Sequence, residues 1–324
     1  MTRALRIHET GGPDVLRWES MDVPPPAPGE VGIRHTVCGL NYIDTYHRTG
    51  LYPLPLPATL GMEAAGVVEA IGDGVEEFEV GDRVCYGAGP PGAYAERRNL
   101  AADRVIALPD DIADVQAAGM MLKGMTAQYL ILRTYPVQSG DTVLWHAAAG
   151  GVGLIACQWL SHLGATVIGT VGSASKAELA RAHGCDHPIV YTRENVVDRV
   201  REITGGRGVP VVFDSVGKDT FEASLDCLRP RGMLVSFGNA SGPVPPFNPG
   251  LLAQKGSLYF TRPTLMTYVA ERDEHVATAH ELFDVVRQGA VRIEVQQTYP
   301  LRDAAQAHRD LEARKTTGST VLLV

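Results

Sequence analysis

The stretch Thr142 to Leu160, TVLWHAAAGGVGLIACQWL, constrains the fold more than any other part of this chain. Thr142 to His146 is short, apolar and β-prone, and Val152 to Leu163 is helix-forming at helical length. Gly150, Gly151 and Gly153 therefore stand at a strand-to-helix turn, where backbone can approach a ligand closely. The first turn of such a helix presents free N–H groups and the positive end of the helix dipole, which suits a pyrophosphate. Gly150 leaves room for that approach, Val152 follows in the first turn, and Gly153 permits tight packing of the helix. Ala148 occupies the place of the first glycine in the common fingerprint, and the alternative is an ordinary strand–helix turn.

The segment after the turn refines the ligand. A second strand, Thr166 to Thr170, ends where an NAD site usually carries Asp or Glu, about 20 residues after the glycines. From Gly151 through Ala177 there is no acidic residue. Without a carboxylate to repel a 2′-phosphate, and with Ser173, Ser175 and Lys176 able to donate to one, the segment favours NADPH over NADH. The competing reading has Ser173 or Ser175 only capping the next helix and Lys176 solvated.

Further β-prone runs at Val167 to Thr170, Pro188 to Tyr191, Val209 to Asp214 and Gly232 to Phe237 alternate with helical segments starting near Ala174, Glu194 and Asp219. A last strand is expected at Ser257 to Thr261. This alternation predicts an α/β fold with a doubly wound parallel sheet. The N-terminal part differs. Gly32 to Cys38 and Ala65 to Ile71 read as strands, turn clusters such as Pro24 to Gly29 separate them, and few helices are expected before Ile112. It reads as mainly antiparallel β structure. Helical patterns at Glu271 to Gln288 and Leu301 to Arg314 precede a strand at Ser319 to Val324. That tail is too short for a core of its own, so it is expected to complete the first domain. The expected division is 1–124 with 262–324, and 125–261 inserted between them.

A chain of 324 residues accommodates two such domains, and a net charge of −8 gives no overall attraction for nucleic acid or anionic membrane. Met1 to Glu9 lacks the apolar run of a secretory signal, so a cytoplasmic location is expected. Cys38, Cys85, Cys157, Cys185 and Cys227 are widely spaced without a C-x-x-C pair, which suggests neither a disulfide framework nor a zinc knuckle.

Several motifs together narrow the chain further. Gly61-Met-Glu-Ala-Ala-Gly66, Gly81-Asp-Arg-Val84 and His146-Ala-Ala-Ala-Gly-Gly-Val-Gly153 resemble the medium-chain dehydrogenase/reductase superfamily. Asn41-Tyr-Ile-Asp-Thr-Tyr46, Gly50-Leu-Tyr-Pro53, Val212-Phe-Asp-Ser-Val-Gly217, Leu234-Val-Ser-Phe-Gly-Asn239 and Lys255 to Pro263 are similar to the zeta-crystallin-type quinone oxidoreductases. The resemblance spans essentially the whole chain. It implies a Rossmann domain inserted into a GroES-like catalytic domain, with NADPH as cofactor.

Zinc alcohol dehydrogenases share the superfamily, and a catalytic zinc needs about three protein ligands. Those relatives resemble this chain around Cys38 and Glu63, but the histidine of their Gly-His-Glu motif is replaced by Met62, a poor zinc ligand, and Cys85 stands alone where they have a cysteine-rich lobe. The chain therefore reads as metal-free; the alternative is a rebuilt site using Cys38 with His35 or His47. A metal-free enzyme of this type suits an already electrophilic acceptor, a quinone or conjugated enone, with the protein holding donor and acceptor in reacting geometry.

The resemblance implies that the nicotinamide ring lies in a cleft near Asn41, Tyr46, Tyr52 and Thr126. Asn41 would bond cofactor or acceptor, and Tyr46 and Tyr52 would stack on the quinone and offer it a hydroxyl. It carries Lys176 and Tyr191 toward the adenosine phosphate and ribose, Ser215 and Val216 to a strand end, Phe237 and Gly238 beside the nicotinamide half, and Asn239 and Arg314 to complete the set. Asp44 is an ionisable candidate for proton donation, or else a loop or capping carboxylate. A hydroquinone dianion can also take protons from water. Alternatives to quinone reduction are reduction of an enone, alkenal or enoyl-thioester, and a structural or RNA-binding role, which the charge opposes. A homodimer is expected, the β-rich segment of Gly232 to Phe237 together with Ser257 to Thr261 pairing edge to edge across a two-fold axis.

Overall fold

The computed structural model describes residues 1–324 as two compact units. One comprises Thr126–Tyr268 and Glu281–Arg292 and is built on six parallel strands. From edge to edge these are His187–Val190, Thr166–Val171, Thr142–Trp145, Val209–Asp214, Leu228–Ser236 and Tyr259–Thr261. In order of sequence the arrangement is 3-2-1-4-5-6, so strand order reverses between Thr142–Trp145 and Val209–Asp214. In an open α/β sheet that reversal makes the ligand crevice. Every residue of Val209–Asp214 is buried. Such a strand is covered on both faces, which explains its unbroken apolar run where a one-sided strand would alternate.

The fifth strand starts at Leu228, four residues before the expected Gly232. Its Arg229-Pro-Arg-Gly opening looks like a turn in sequence, and the ladder with Val209–Asp214 does carry an irregularity between Val209 and Val211. Strand pairing extends through it because Leu228 still aligns with Val209.

The other unit comprises Met1–Met125, Val269–His280 and Ile293–Val324. Its seven-stranded sheet runs Val295–Pro300, Ser319–Leu323, Glu30–Leu40, Glu63–Ile71, Arg83–Tyr86 and Ile106–Ala107, with Arg97–Ala101 also on Glu30–Leu40. Glu30–Leu40 shares one edge between two neighbours: Glu30 to Arg34 pair with Arg97–Ala101, and Val37 to Leu40 pair with the C-terminal strand. A three-stranded sheet of Arg17–Met21, Thr2–Ile7 and Ala58–Thr59 adds Leu5 and Ile7 to the core around Ile33, Leu60, Val84 and Leu322.

Two features depart from the sequence reading. Residues 262–268 and 281–292 group with the parallel sheet, and the helix Arg272–Arg287 runs unbroken through position 280. A helix at Tyr42–Thr49 also stands earlier in the chain than the pattern predicts. Its residues Asp44, Thr45, Tyr46, His47 and Arg48 are all buried, charged ones included, so the usual apolar stripe is absent.

Candidate cofactor and acceptor sites

In the parallel-sheet unit the chain leaves Thr142–Trp145 through Ala147, whose φ of 57° is left-handed, and enters the helix Gly151–His162 from Gly150. Gly150 and Gly153 differ in what they permit. A Cβ on Gly150 would meet the Ala147 carbonyl at 3.1 Å, a tight contact; one on Gly153 would lie 2.4 Å from Ala147 O and 2.6 Å from Ala148 O. Gly153 thus packs against the backbone of the turn itself. The N–H groups of Gly151 and Val152 belong to the first helical turn, which has no intrahelical acceptors for them.

Beneath this turn lies a buried polar network that pattern reading of the sequence missed. Asp214, at the end of the fourth strand, accepts from the backbone N–H of Val216 at 2.8 Å and of Gly217 at 3.1 Å. Its other oxygen accepts from the hydroxyls of Thr220 at 2.7 Å and Ser224 at 2.8 Å. Because Ser224 spends its hydrogen on Asp214, its oxygen must accept from His146 Nε2 at 3.0 Å. The unprotonated His146 Nδ1 then accepts from Thr170 Oγ1 at 2.9 Å. Burial holds the imidazole below its ordinary pKa, against the opposing pull of Asp214, so it serves as a neutral linker. The ends of three strands are joined in this way. The available signal was polar residues, His146 and Asp214, closing two otherwise apolar strands.

The loops after the fourth and fifth strands are fastened together. Phe237 N–H donates to Asp214 O at 2.8 Å, Ala240 N–H to Ser215 O at 3.2 Å and Ser241 N–H to Val216 O at 2.8 Å. A Cβ on Gly238 would sit 2.4 Å from Ser215 O, and the Phe237 ring packs on Trp145 with centroids 5.5 Å apart. Ser215, Val216, Phe237, Gly238 and Asn239 are thereby brought together at the carboxyl ends of the strands. At the end of the second strand, Ser173 accepts the Lys176 N–H at 3.3 Å and its hydroxyl lies 3.0 Å from that of Ser175. Ser173 therefore does cap the helix Ala174–Ala182. The Tyr191 hydroxyl reaches the same corner, 2.9 Å from where a Cβ on Gly172 would be. Thr126 begins this unit, on the helix Asp114–Gln128.

The β-rich unit holds the remaining residues. Asn41 precedes the helix Tyr42–Thr49, and its N–H donates to Asp44 Oδ2 at 2.9 Å, one arm of a capping box. Its side-chain Nδ2 donates to Glu63 Oε2 at 2.7 Å. Glu63 also accepts from Lys123 Nζ at 3.0 Å and from the Leu122 N–H at 2.9 Å. Tyr46 lies 6.0 Å from Tyr42 and 5.3 Å from Tyr52 by ring centroids, so three tyrosines form one cluster. Arg314, with φ of 58°, follows the helix Ala304–Glu312 in this unit, and its charge acts on the Tyr42 phenol.

The donor set does not fit a zinc ion. Cys38 Sγ donates to Ala93 O at 2.9 Å, and burial drives its thiol far above the ordinary range. His35 is held at Nδ1 by Ala95 O at 2.7 Å and at Nε2 by the Tyr86 hydroxyl at 2.8 Å. Glu63 is committed to Asn41 and Lys123, and no group of three or more His, Cys, Asp or Glu is arranged to hold a metal.

No helix is long and apolar enough to cross a membrane. The family described as alcohol dehydrogenase GroES-like domain matches residues 27–138, and that described as zinc-binding dehydrogenase matches residues 151–283. The quinone oxidoreductase of Pseudomonas aeruginosa is 55% identical over 324 residues, covering 100% of both chains. The 2-haloacrylate reductase of Burkholderia sp is 50% identical over 331 residues, covering 100% of this chain and 99% of its own. Among solved structures, Escherichia coli quinone oxidoreductase complexed with NADPH superposes with a TM-score of 0.98 at 49% identity, covering 99% of this chain and 100% of that one.

Proposed function

Because the chain belongs to the quinone oxidoreductase family of the medium-chain dehydrogenase/reductase superfamily, we propose that it catalyses metal-free hydride transfer from NADPH to a quinone. The observation that carries this reading is the glycine turn at the strand-order reversal, locked from below by Asp214 and His146 and followed by a second strand without an acid. When bound, NADPH supplies the hydride; the protein binds, orients and shields.

Gly150, Gly151 and Val152 receive the pyrophosphate, and Ser173, Lys176 and Tyr191 receive the adenosine phosphate. Ser215, Val216, Phe237, Gly238 and Asn239, with Thr126, hold the nicotinamide half. Asn41, Tyr46 and Tyr52 serve the acceptor, Tyr46 and Tyr52 by stacking on an aromatic or quinonoid plane. Asn41 and Arg314 also contact the cofactor. After hydride addition the acceptor oxygen takes its proton from water or a tyrosine hydroxyl.

Cofactor choice is testable directly. NADPH is expected to bind more tightly than NADH, and Lys176→Ala is expected to cut that preference about tenfold, the effect of losing one charge-assisted contact. Fluorescence titration of both nucleotides checks this, and equal affinities in the parent chain would refute the assignment of the Ser173 to Lys176 segment.

The resemblance to 2-haloacrylate reductase keeps a second acceptor class in view, conjugated carbonyls of the acrylate or alkenal type. Steady-state kcat/KM is expected to be at least about tenfold higher for 1,4-benzoquinone or naphthoquinones than for 2-alkenals or 2-haloacrylates, a difference that pocket contacts can supply. The reverse order would place the chain with the second class. A homodimer in the cytoplasm completes the proposal, paired through the edge strand Tyr259–Thr261, where Tyr259 is 59% exposed.

A further inference from the structure

Asp44 and Arg48 stand four residues apart on the helix Tyr42–Thr49, the spacing of a direct ion pair. Here both are buried and they are joined the long way round. Arg48 Nη1 lies 2.9 Å from His308 Nδ1, His308 Nε2 lies 3.1 Å from the Tyr94 hydroxyl, and that hydroxyl donates to Asp44 Oδ2 at 2.8 Å. Arg48 is itself anchored, by Gly11 O at 3.0 Å and Glu312 Oε1 at 2.7 Å.

The direction of every bond in this chain is forced. A guanidinium only donates, so His308 Nδ1 must accept, its hydrogen must be on Nε2, and it must donate to Tyr94. The Tyr94 hydrogen is then committed to Asp44. Burial and the neighbouring Arg48 push the imidazole down to about 3, which keeps it neutral in this role. Because Arg48 does not give up its proton, the chain is unsuited to delivering protons from the surface. What it delivers is polarisation toward one carboxylate oxygen, the same oxygen that caps the helix by accepting the Asn41 N–H.

Resting on the acceptor role given above to Asn41 and Tyr46, we propose that Arg48, His308 and Tyr94 are positioning residues, a one-way donor chain that fixes Asp44 as helix cap and so sets the placement of Asn41 and Tyr46.

The device is pH-sensitive. Burial raises the Asp44 carboxyl to about 7, opposed by the Asn41 N–H, the Tyr94 hydroxyl and the Lys123 ammonium and reinforced by Glu63. The Cys38 thiol faces the same group and stays neutral, as does His308, while Arg48 acts from beyond Tyr94. Asp44 Oδ1 has no hydrogen-bond partner, so protonation there weakens acceptance at Oδ2. Acceptor KM should therefore be flat on the alkaline side and rise as pH falls through about 7. For stability the sign is opposite. The native carboxyl holds its proton above the unfolded value of 3.8, so stability falls as pH rises from there to about 7, then levels off.

The test uses the full chain with ¹³C-labelled aspartate, following the Asp44 carboxyl by NMR, together with KM for 1,4-benzoquinone from pH 5.5 to 9 and the Kd for NADPH. Tyr94→Phe, which removes one hydroxyl, is expected to raise the Asp44 midpoint by about one pH unit and acceptor KM at pH 7 by about tenfold. kcat should stay within about twofold, and NADPH affinity should fall by no more than about twofold, because Asn41 is one of many cofactor contacts. His308→Ala should reproduce this, and His308→Gln, whose amide can accept from Arg48 and donate to Tyr94, should restore much of it. Asp44→Asn should make KM independent of pH across this range.

An Asp44 midpoint unmoved in both Tyr94→Phe and His308→Ala overturns the donor chain. A midpoint that moves while acceptor KM and its pH profile do not overturns the positioning role. Absence of any quinone turnover in the parent chain would overturn the functional reading instead, and the carboxyl titration, which needs no acceptor, would still decide the chain.

Discussion

Asp214→Leu is expected to weaken NADPH binding by more than about 100-fold and to destabilise the parallel-sheet unit by roughly 2–6 kcal/mol, since each buried unsatisfied donor costs about 1–3 kcal/mol. Asp214 satisfies four donors at once, and its bonds to the Gly217 N–H and the Ser224 hydroxyl are fully buried. Leucine fills the volume and accepts none of them. Loss of the Ser224 bond also frees the partner of His146 Nε2, so the turn bearing Gly150 and Gly151 loses its support from below. Asp214→Asn keeps one acceptor oxygen and should fall between the two. Urea unfolding and fluorescence titration with NADPH measure the two effects. A leucine variant less than about 1 kcal/mol weaker than the parent would show that the network is incidental to the fold.

The second large effect comes from a single methyl group. Gly153→Ala places a Cβ 2.4 Å from Ala147 O, 2.6 Å from Ala148 O and 2.7 Å from Ala148 C, all backbone atoms that cannot swing aside as a side chain would. The turn must open, at a cost of about 1–3 kcal/mol typical of overpacking. That movement displaces the Gly151 and Val152 N–H groups proposed to receive the pyrophosphate, so NADPH affinity should drop at least about tenfold. Gly150→Ala is the internal comparison, because its nearest contact is 3.1 Å and a few tenths of an ångström of adjustment suffice. Equal NADPH affinity in the two variants would contradict this reading of the turn.

The two units were unequally legible. In the parallel sheet, strands and helices announce themselves by long apolar runs and by glycine and serine at their junctions, and Val209–Asp214 has the extent read from sequence. The helix Tyr42–Thr49 escaped because its buried side includes Asp44 and Arg48, whose polar groups find hydrogen-bond partners far away in the chain. Ser173 shows the opposite case. The cap reading and the phosphate reading rest on the same hydroxyl, and the fold commits it to the Lys176 N–H while leaving it at the corner shared with Tyr191.

From sequence alone came the strand–turn–helix at Gly150 to Gly153, the missing acid behind the preference for NADPH, and Met62 in place of a zinc-binding histidine. Each is a local statement, decided by residue type and by periodicities of two or 3.6 residues. The polar networks were decided only by tertiary structure. His146 meets Ser224 across 78 positions and Arg48 meets His308 across 260, and no local pattern encodes such a meeting. A buried polar group must find its partner wherever strand order and helix packing bring one, so the residues that hold each site in shape become visible once the sheets are assembled.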